Sequence, residues 1–246
     1  MISADALFKG FGPKQVLRGV SFEVPKGESL VVIGGSGTGK SVLLKCLLGL
    51  ERPDQGIVAV AGLRNPRPQV LAAHVGMLFQ GAALFDSLPV WQNIAFRLMR
   101  GAGRLRAPEA KALAIEKLAR VGLDKSTADL FPAELSGGMQ KRVGLARAIA
   151  GDPPVLFFDE PTAGLDPIMS AVINALIREI VTEMGATALT ITHDMRTLRD
   201  VADRVAMLHE GRFYWQGTTA EALSTDDPVM RQFTEGRTTG PIPTLR

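Results

Sequence analysis

The alternation of hydrophobic and polar positions predicts strands at the start of the chain and then a change to helix. Residues 4–24 alternate and carry β-branched and aromatic side chains, with a proline-glycine turn at residues 25–27. They predict an antiparallel edge. The run SLVVIGG at residues 29–35 is nearly all apolar, and a helical pattern follows at residues 41–50. These two segments predict a buried parallel strand, a glycine loop and a helix.

The middle of the chain has the period of amphipathic helices. Apolar residues recur at three- and four-residue spacing over residues 108–123. A second predicted helix, over residues 137–150, places one set of apolar residues on a single face. That face consists of Met139, Val143, Ala146 and Ile149 or Ala150. We therefore predict a small helical lobe over about residues 87–152.

Strand signals return after this lobe, in VLFFD (155–159), ALTITH (188–193) and RVAMLHEGRFYWQG (204–217). The parallel sheet is expected to resume there and to end in a hairpin. The predicted fold class is α/β: one domain over residues 1–235, with a mostly parallel sheet core, an N-terminal antiparallel β edge and the helical subdomain inserted. Residues 236–246 contain few side chains that could pack, so we expect an extended or disordered tail, or alternatively one that docks on a partner.

Composition narrows the class of protein. The chain has 246 residues, 46% of them hydrophobic, which suffices for one large α/β domain. Its 28 Lys and Arg against 25 Asp and Glu leave a net charge of +3, which gives little support to nucleic-acid binding. The single cysteine, Cys46, excludes an internal disulfide, and the first ten residues lack the pattern of an export signal, so we expect a cytosolic location. No apolar run approaches the roughly 20 residues that cross a bilayer, so work at a membrane would require a partner.

A phosphate-binding loop connects the predicted buried strand to the first helix. The loop fits G-x-x-x-x-G-K-S and consists of Gly34, Gly35, Ser36, Gly37, Thr38, Gly39, Lys40 and Ser41. Its amides and the start of the helix would converge on a β-phosphate. The ammonium of Lys40 would reach the β and γ oxygens, and the hydroxyl of Ser41 would ligate Mg²⁺. The alternative is a glycine-rich turn with no ligand.

Two acidic residues follow the apolar strand VLFF. We predict that Asp159 is the carboxylate partner of Mg²⁺ and that Glu160 polarises the attacking water. His193 ends ALTITH, where a neighbouring parallel strand would finish, so it could contact the γ-phosphate. Taken alone, an acidic pair at a strand end indicates a solvated edge, and a lone histidine is more often structural. The phosphate loop favours the catalytic interpretation of all three.

A second helix start has the features of an anion site. In LSGGMQKR, residues 135–142, Ser136, Gly137 and Gly138 stand at the start of a predicted helix, and a hydroxyl with bare amides attracts an anion. The residues show two anion sites and do not show which anion the second one holds. The alternative interpretation of Ser136 is an ordinary helix N-cap.

Five motifs stand in one order around the phosphate loop: LSGGM, VLFFDEP, AGLD at residues 163–166, His193, and Gln80 after the strand VGMLF. With them the chain resembles the nucleotide-binding domain of ABC ATPases, which are P-loop NTPases with a RecA-like core, over nearly its whole length. The resemblance implies that the protein binds and hydrolyses ATP with Mg²⁺. It also implies that Gln80 senses Mg²⁺ and the attacking water, that Phe11 stacks on adenine, and that Asp166 belongs to the nucleotide-binding set.

The same resemblance assigns the second anion site. It implies that Ser136 and the two glycines after it, in one copy, close on the γ-phosphate held by the phosphate loop of another copy, so that a homodimer forms across two ATP molecules. The sequence departs from the usual pattern at Met139, at Gly35 and at residues 163–164. None of these positions carries a catalytic group, so we expect activity to survive.

Two segments resemble one transport system in particular. Residues 78–96 and 227–243 look like the ATPase of Mla-type phospholipid transport systems, which pairs with an inner-membrane permease and an MCE-domain lipid-binding protein. The resemblance implies a place on the cytoplasmic face of the bacterial inner membrane, peripheral through the permease. The first segment carries apolar side chains that suit a coupling helix of the permease or, alternatively, the core of the lobe. These side chains are Ala82, Ala83, Leu84, Phe85, Val90 and Trp91.

Further alternatives stay open. A basic run of Arg97, Arg100, Arg104 and Arg106 is either a solvated face or a site of attraction to anionic lipid. The same motor could serve another substrate, such as an amino acid or a lipophilic drug. A soluble ABC protein of DNA repair or translation is a rival from another class, but the sequence contains neither the long heptad arms of the first nor the tandem domains of the second.

Overall fold

Ten strands in two sheets are present in the computed structural model, which describes residues 1–100 and 104–243. The strands are β1 (Ile2–Phe11), β2 (Lys14–Val24), β3 (Ser29–Ile33), β4 (Gln55–Val60), β5 (Leu63–Arg64), β6 (Val75–Leu78), β7 (Val155–Asp159), β8 (Thr187–Ile191), β9 (Arg204–His209) and β10 (Arg212–Thr218). The smaller sheet is antiparallel, with the order β2-β1-β4-β5. The larger sheet has the order β10-β9-β3-β8-β7-β6 and is parallel except for the β9–β10 hairpin. The predicted α/β class, with an antiparallel edge beside a mostly parallel core, is confirmed.

Helices cover the larger sheet and form a lobe beside it. The helices are α1 (Lys40–Leu47), α2 (Pro68–Leu71), α3 (Val90–Ala95), α4 (Ala107–Arg120), α5 (Gly137–Ala148), α6 (Pro167–Met184), α7 (Met195–Val201), α8 (Thr219–Ser224) and α9 (Pro228–Glu235). Between β6 and β7 in the chain, α3, α4 and α5 pack on one another, with short 3₁₀ helices at Lys125–Asp129 and Pro132–Glu134. They lie within the region 87–152 predicted to be a helical lobe, of which residues 101–103 fall outside the described residues.

Strand β7, which lies between β8 and the edge strand β6, is held from both faces of the sheet. Its alternating side chains enter two different hydrophobic clusters, because successive residues of a strand point to opposite faces. Phe157 packs with the cluster that contains Leu44 of α1, and Phe158 packs with the cluster that contains Leu145 of α5. Both rings are fully buried, and burial of such a side chain contributes about 1.5–3 kcal/mol. The strand end at Asp159 is therefore fixed in position.

The chain continues past α9 along that helix. A left-handed glycine, Gly236, ends α9, and residues 237–243 are neither helix nor strand. The buried side chain of Gln232 donates from Nε2 to the Ile242 carbonyl oxygen at 2.9 Å and accepts from the Ile242 amide at 2.6 Å. The described part of the predicted tail thus lies against its own chain, whereas residues 244–246 lie outside the described residues.

The helices of the described residues were compared with the length and hydropathy that a membrane-spanning helix requires. No helix there is both long enough and apolar enough to span a bilayer.

Candidate nucleotide-binding site

The phosphate loop connects β3 to α1 at the carboxyl end of the parallel sheet. Gly39, the last residue before α1, has φ of +108°, a conformation that favours glycine. A Cβ there would lie 3.0 Å from Cγ1 of Val16 on β2. A Cβ on Gly34 would clash with the carbonyl oxygen of Leu208 on β9. Close approach by these two strands therefore requires glycine at both ends of the loop.

The ammonium of Lys40 lies inside the curve of this loop. Its Nζ donates to the carbonyl oxygens of Gly34, at 2.6 Å, and Gly35, at 2.9 Å. Burial lowers the pKa of Lys40, while the negative charges of Glu160 and Asp159 raise it. The cation is thus held beside the start of α1, where helix amides attract phosphate oxygens.

Asp159 and Ser41 carry the oxygen atoms that the sequence predicts to bind Mg²⁺. Asp159 is half-buried at the end of β7, and its carboxylate has no hydrogen-bond partner in residues 1–100 and 104–243. Burial raises the pKa of Asp159, the charge of Glu160 raises it further, and Lys141 and Lys40 oppose the increase. A carboxylate and a hydroxyl fit Mg²⁺, which binds few protein ligands and keeps waters and phosphate oxygens. Within the described ranges, no group of three or more His, Cys, Asp or Glu residues could hold a metal ion.

Glu160 and His193 are brought together from neighbouring strands. Oε1 of Glu160 lies 2.9 Å from Nδ1 of His193, and Oε2 accepts from the Thr192 hydroxyl at 3.2 Å. The Glu160 amide donates to the carbonyl oxygen of Ile191 at 2.9 Å, and its φ is +46°, which is uncommon for a residue with a side chain. The Glu160 side chain is 13% exposed and that of His193 is 69% exposed. The carboxylate is therefore fixed, and the imidazole extends into solvent beside it.

A buried polar network lies behind His193, and sequence reasoning missed it. The Asp194 carboxylate accepts from the hydroxyls of Thr162, at 3.1 Å, and Thr197, at 3.0 Å. Oγ1 of Thr197 also lies 3.1 Å from Oδ1 of Asn174 on α6. Burial alone would raise the pKa of Asp194, but hydrogen bonds from Arg196, Thr197 and Thr162 bring it below its ordinary value. The sequence did contain a signal for this network, because the polar residues Thr162 and Asp194 follow closely after the ends of β7 and β8.

The start of α5 lies against α6 and not against the phosphate loop. Ser136 Oγ accepts from the Met139 amide at 3.3 Å, so the N-cap interpretation of this serine holds. A Cβ on Gly138 would lie 2.6 Å from Cε of Met169 on α6. Asp166 caps α6 by accepting from the amides of Ile168 and Met169. In the described chain, neither Ser136 nor Asp166 has a hydrogen bond to the phosphate loop.

Gln80 and Phe11, the other two predicted nucleotide residues, are both exposed. Gln80 follows β6, and its main-chain oxygen accepts from Nζ of Lys141. Phe11 ends β1 with its ring 47% exposed, and Nζ of Lys9 lies 5.1 Å from the ring centroid. A cavity of about 400 Å³ beside the phosphate loop lies between β2 and the β9–β10 hairpin, and Phe11 is not among its lining residues. The proposed stacking of Phe11 on adenine stays a prediction.

The apolar segment after β6 divides into a buried part and an exposed part. Ala82 and Val90 are buried, while Phe79 and Phe85 are 39% and 43% exposed. Leu84 and Trp91 are half-buried against the core, and Ala83 is exposed. The core interpretation therefore holds for Ala82 and Val90, whereas docking of a partner on the exposed residues stays a prediction.

The basic run is only partly a solvated face. Arg97 is half-buried and donates to the Val75 carbonyl oxygen at 3.0 Å, with burial lowering its pKa. Arg100 stacks on the ring of Phe96, and Arg106 pairs with Glu109 at 2.6 Å. Arg104 is exposed.

Comparisons with known proteins agree with this geometry. A family model described as ABC transporter matches residues 17–163. The chain is 41% identical over 262 residues to the chloroplastic protein TRIGALACTOSYLDIACYLGLYCEROL 3 of Arabidopsis thaliana, covering 98% of this chain and 75% of that one. It is 40% identical over 246 residues to the probable ribonucleotide transport ATP-binding protein mkl of Mycobacterium tuberculosis, covering 98% and 68%. The methionine import ATP-binding protein MetN of Thermobifida fusca is 46% identical over 241 residues, covering 94% and 74%.

Solved structures show the same architecture. A dimeric ATP-binding cassette bound to ADP and Pi superposes with a TM-score of 0.80 at 28% identity, covering 89% of this chain and 99% of that one.

Proposed function

The chain belongs to the ABC transporter family as an ATP-binding subunit that hydrolyses ATP, and from this premise we propose that it drives phospholipid transport as a homodimer beneath an inner-membrane permease. The observation that carries the lipid assignment is the identity of 41% over nearly the whole chain with a relative named for trigalactosyldiacylglycerol, a lipid. The resemblance of residues 78–96 and 227–243 to Mla-type ATPases points the same way.

Hydrolysis in this proposal depends on Glu160 and His193, just after the ends of β7 and β8, and on Lys40 at the start of α1. Glu160 accepts a proton from the attacking water, since its carboxylate is a base. Thr192 and the His193 ring hold that carboxylate in place. His193 Nδ1 is engaged by Glu160, and Nε2 has no hydrogen-bond partner in the described part of the chain, so it is available to the γ-phosphate. Lys40 neutralises charge on the β and γ oxygens.

Mg²⁺ supplies Lewis-acid stabilisation of the phosphate oxygens when it is bound. Asp159 and Ser41 would hold it, and Gln80 would complete the set from the exposed end of β6. Asp159 suits this role because no lysine or arginine pairs with its carboxylate within 4.0 Å in the described residues.

The proposed head-to-tail homodimer is supported by the different neighbours of the two anion sites. The phosphate loop contacts β2 and β9, whereas the amides at the start of α5 lie beside Met169 of α6. In the proposal, each of these two anion sites is only half of a complete nucleotide site. A second copy would place its Ser136 and the adjoining glycines on the γ-phosphate held by the first copy. The dimeric cassette of similar fold bound to ADP and Pi supports this arrangement.

The proposed docking surface for the permease is formed by Phe79 and Phe85. Phe85 stacks on Phe96 with 4.3 Å between ring centroids. Its main chain is fixed by the buried side chain of Asn93, whose Oδ1 accepts from the Phe85 amide at 2.7 Å. Exposed aromatic rings, one of them held in place by stacking, suit an apolar helix of a membrane partner. Phe85→Glu should reduce recovery of the permease at least tenfold without changing ATP affinity. Leu223→Glu, at a position that is 45% exposed on α8, is the matched control and should leave recovery unchanged.

The substrate assignment has a direct test. The tagged chain, purified from its native membrane with its partners, should bring a permease, an MCE-domain protein and bound phospholipid. Recovery with a solute-binding protein and no lipid would exclude the lipid assignment. That result would favour the second candidate, an importer of a small solute, which the methionine import relative supports.

A further inference from the structure

Lys141 is a buried cation in α5 that holds two main-chain oxygens. The residue is 5% exposed, and its Nζ donates to the carbonyl oxygen of Gln80 and, at 3.3 Å, to the carbonyl oxygen of Glu160. No carboxylate lies within 4.0 Å of this ammonium in the described ranges. Burial lowers the pKa of Lys141, and the charges of Asp159 and Glu160 raise it. The ammonium therefore joins the two loops that carry the proposed water-handling residues.

The same face of α5 grips the rest of the loop after Gln80. Lys141, Gly144 and Arg147 are spaced by three residues, so they lie along one side of the helix. A Cβ on Gly144 would lie 3.3 Å from Cβ of Ala82, which means that the helix and the loop touch. Arg147 donates to the carbonyl oxygens of Ala82 and, at 2.7 Å, Ala83. Both alanines have positive φ, +58° and +49°, so the loop is held in a turn that alanine seldom adopts.

We propose that Lys141 is a positioning residue that couples the start of α5, where Ser136 receives the partner's nucleotide, to the main chains of Gln80 and Glu160. This inference rests on the proposed dimer and its hydrolysis mechanism. Because α5 is continuous from Gly137 to Ala148, a displacement at its first turn moves Lys141 one turn later. The Lys141 ammonium holds main-chain oxygens, so the side chains of Gln80 and Glu160 stay available for Mg²⁺ and water.

An apolar side chain would fill this space without the cost of burying a charge. We therefore expect loss of the Lys141 ammonium to change the position of Gln80 and Glu160 and not to lower the free energy of unfolding. Lys141→Met keeps the length of the side chain and removes all three donors. Lys141→Arg keeps the charge and the donors.

Lys117 offers a matched control. It is also a buried lysine, 3% exposed, in the neighbouring helix α4, but its Nζ pairs with Asp152 at 2.8 Å, away from the nucleotide residues. Lys117→Met makes the same chemical change at a site that has no link to Gln80 or Glu160.

The experiment measures kcat, KM for ATP and deuterium uptake of residues 79–86 in the full chain and the three variants. We expect Lys141→Met to lower kcat at least tenfold, to leave KM within twofold and to speed deuterium uptake in residues 79–86. Lys117→Met should change none of these, and Lys141→Arg should recover most of kcat. Unchanged kcat and uptake in Lys141→Met, or equal losses in Lys117→Met, would overturn the inference.

The two proposals fail separately. If the wild-type chain did not hydrolyse ATP, the proposed function would fail, and deuterium uptake would still decide whether Lys141 holds the Gln80 loop. If the wild type hydrolysed ATP and Lys141→Met matched it, only the role of Lys141 would be lost.

Discussion

Oε1 of Glu160 and Nδ1 of His193 lie 2.9 Å apart, although 33 residues separate them in the chain. The contact forms because β7 and β8 are parallel neighbours whose carboxyl ends meet at one edge of the sheet. It presents a carboxylate that is 13% exposed next to an imidazole that is 69% exposed. The fixed carboxylate of Glu160 would bind the attacking water, and the accessible imidazole of His193 would contact the terminal phosphate.

Glu160→Gln should stop hydrolysis and leave ATP binding intact. The amide keeps the shape of the side chain and its bond to His193 but cannot accept a proton, and loss of a general base costs about 10²–10⁴-fold in rate. Phosphate release measures kcat, and nucleotide titration measures affinity. Glu179→Gln, at an exposed position of α6, should match the wild type. Near-normal turnover by Glu160→Gln would remove Glu160 from its assigned role.

Lys40→Ala should weaken ATP binding. The ammonium that now bonds the oxygens of Gly34 and Gly35 would be missing from the phosphate site. A hydrogen bond to a charged group contributes about 1.5–3 kcal/mol, so the Kd should rise on the order of 10- to 100-fold. Lys45→Ala, on the exposed side of the same helix, is the control. Equal affinities in both variants would contradict the phosphate role of Lys40.

Asp159→Asn should raise the Mg²⁺ concentration required for half-maximal hydrolysis at least tenfold. The amide removes the charged oxygen that Mg²⁺ prefers, while Lys40 still binds phosphate. Titration of Mg²⁺ after removal of metal with EDTA measures this requirement, and nucleotide binding without Mg²⁺ should be unchanged. An identical Mg²⁺ dependence in the variant would place the metal on other residues.

The sequence predicted those parts of the site that are contiguous in the chain. The loop from Gly34 to Ser41 and the pair Asp159–Glu160 stand directly after apolar strands, so local pattern alone placed them at the sheet edge. Contacts between residues that are far apart in the chain leave no local pattern in the sequence. Lys141 lies 61 residues from Gln80, and nothing in the helical period of α5 distinguishes a buried lysine from a solvated one.

Two strands of the smaller sheet were also missed for physical reasons. Strand β4 (Gln55–Val60) is short, and it gains its partners from β1, which lies more than 40 residues earlier. Strand β5 has only two residues and exists through its pairing with β4. Pairing of this kind is settled by tertiary packing and not by the intrinsic preference of the segment.

Cys46 should make stability depend on pH in the alkaline range. The thiol is 2% exposed on α1, and burial raises its pKa to about 11 from an ordinary value of 9.0. The folded chain therefore keeps this proton where the unfolded chain has lost it, so its contribution is complete below pH 9 and is lost as the pH rises to 11. The free energy of unfolding of the wild type should fall by about 2–3 kcal/mol relative to Cys46→Ala across that range.

Denaturant unfolding of both proteins at several pH values measures this difference. Parallel pH profiles would contradict the burial effect on Cys46. A native thiol that reacts with iodoacetamide at pH 8 as fast as the unfolded one would do the same.

Completion of each ATP site by a second copy is tested most directly by sedimentation of the Glu160→Gln chain with and without ATP. ATP should double its mass, and adding Ser136→Phe should abolish the doubling while ATP still binds, because the bulky ring blocks the start of α5. Ser224→Phe, at an exposed position of α8, should not prevent it. A Glu160→Gln chain that binds ATP and stays monomeric, or a monomeric Ser136→Phe chain that hydrolyses ATP at the wild-type rate, would contradict the shared site.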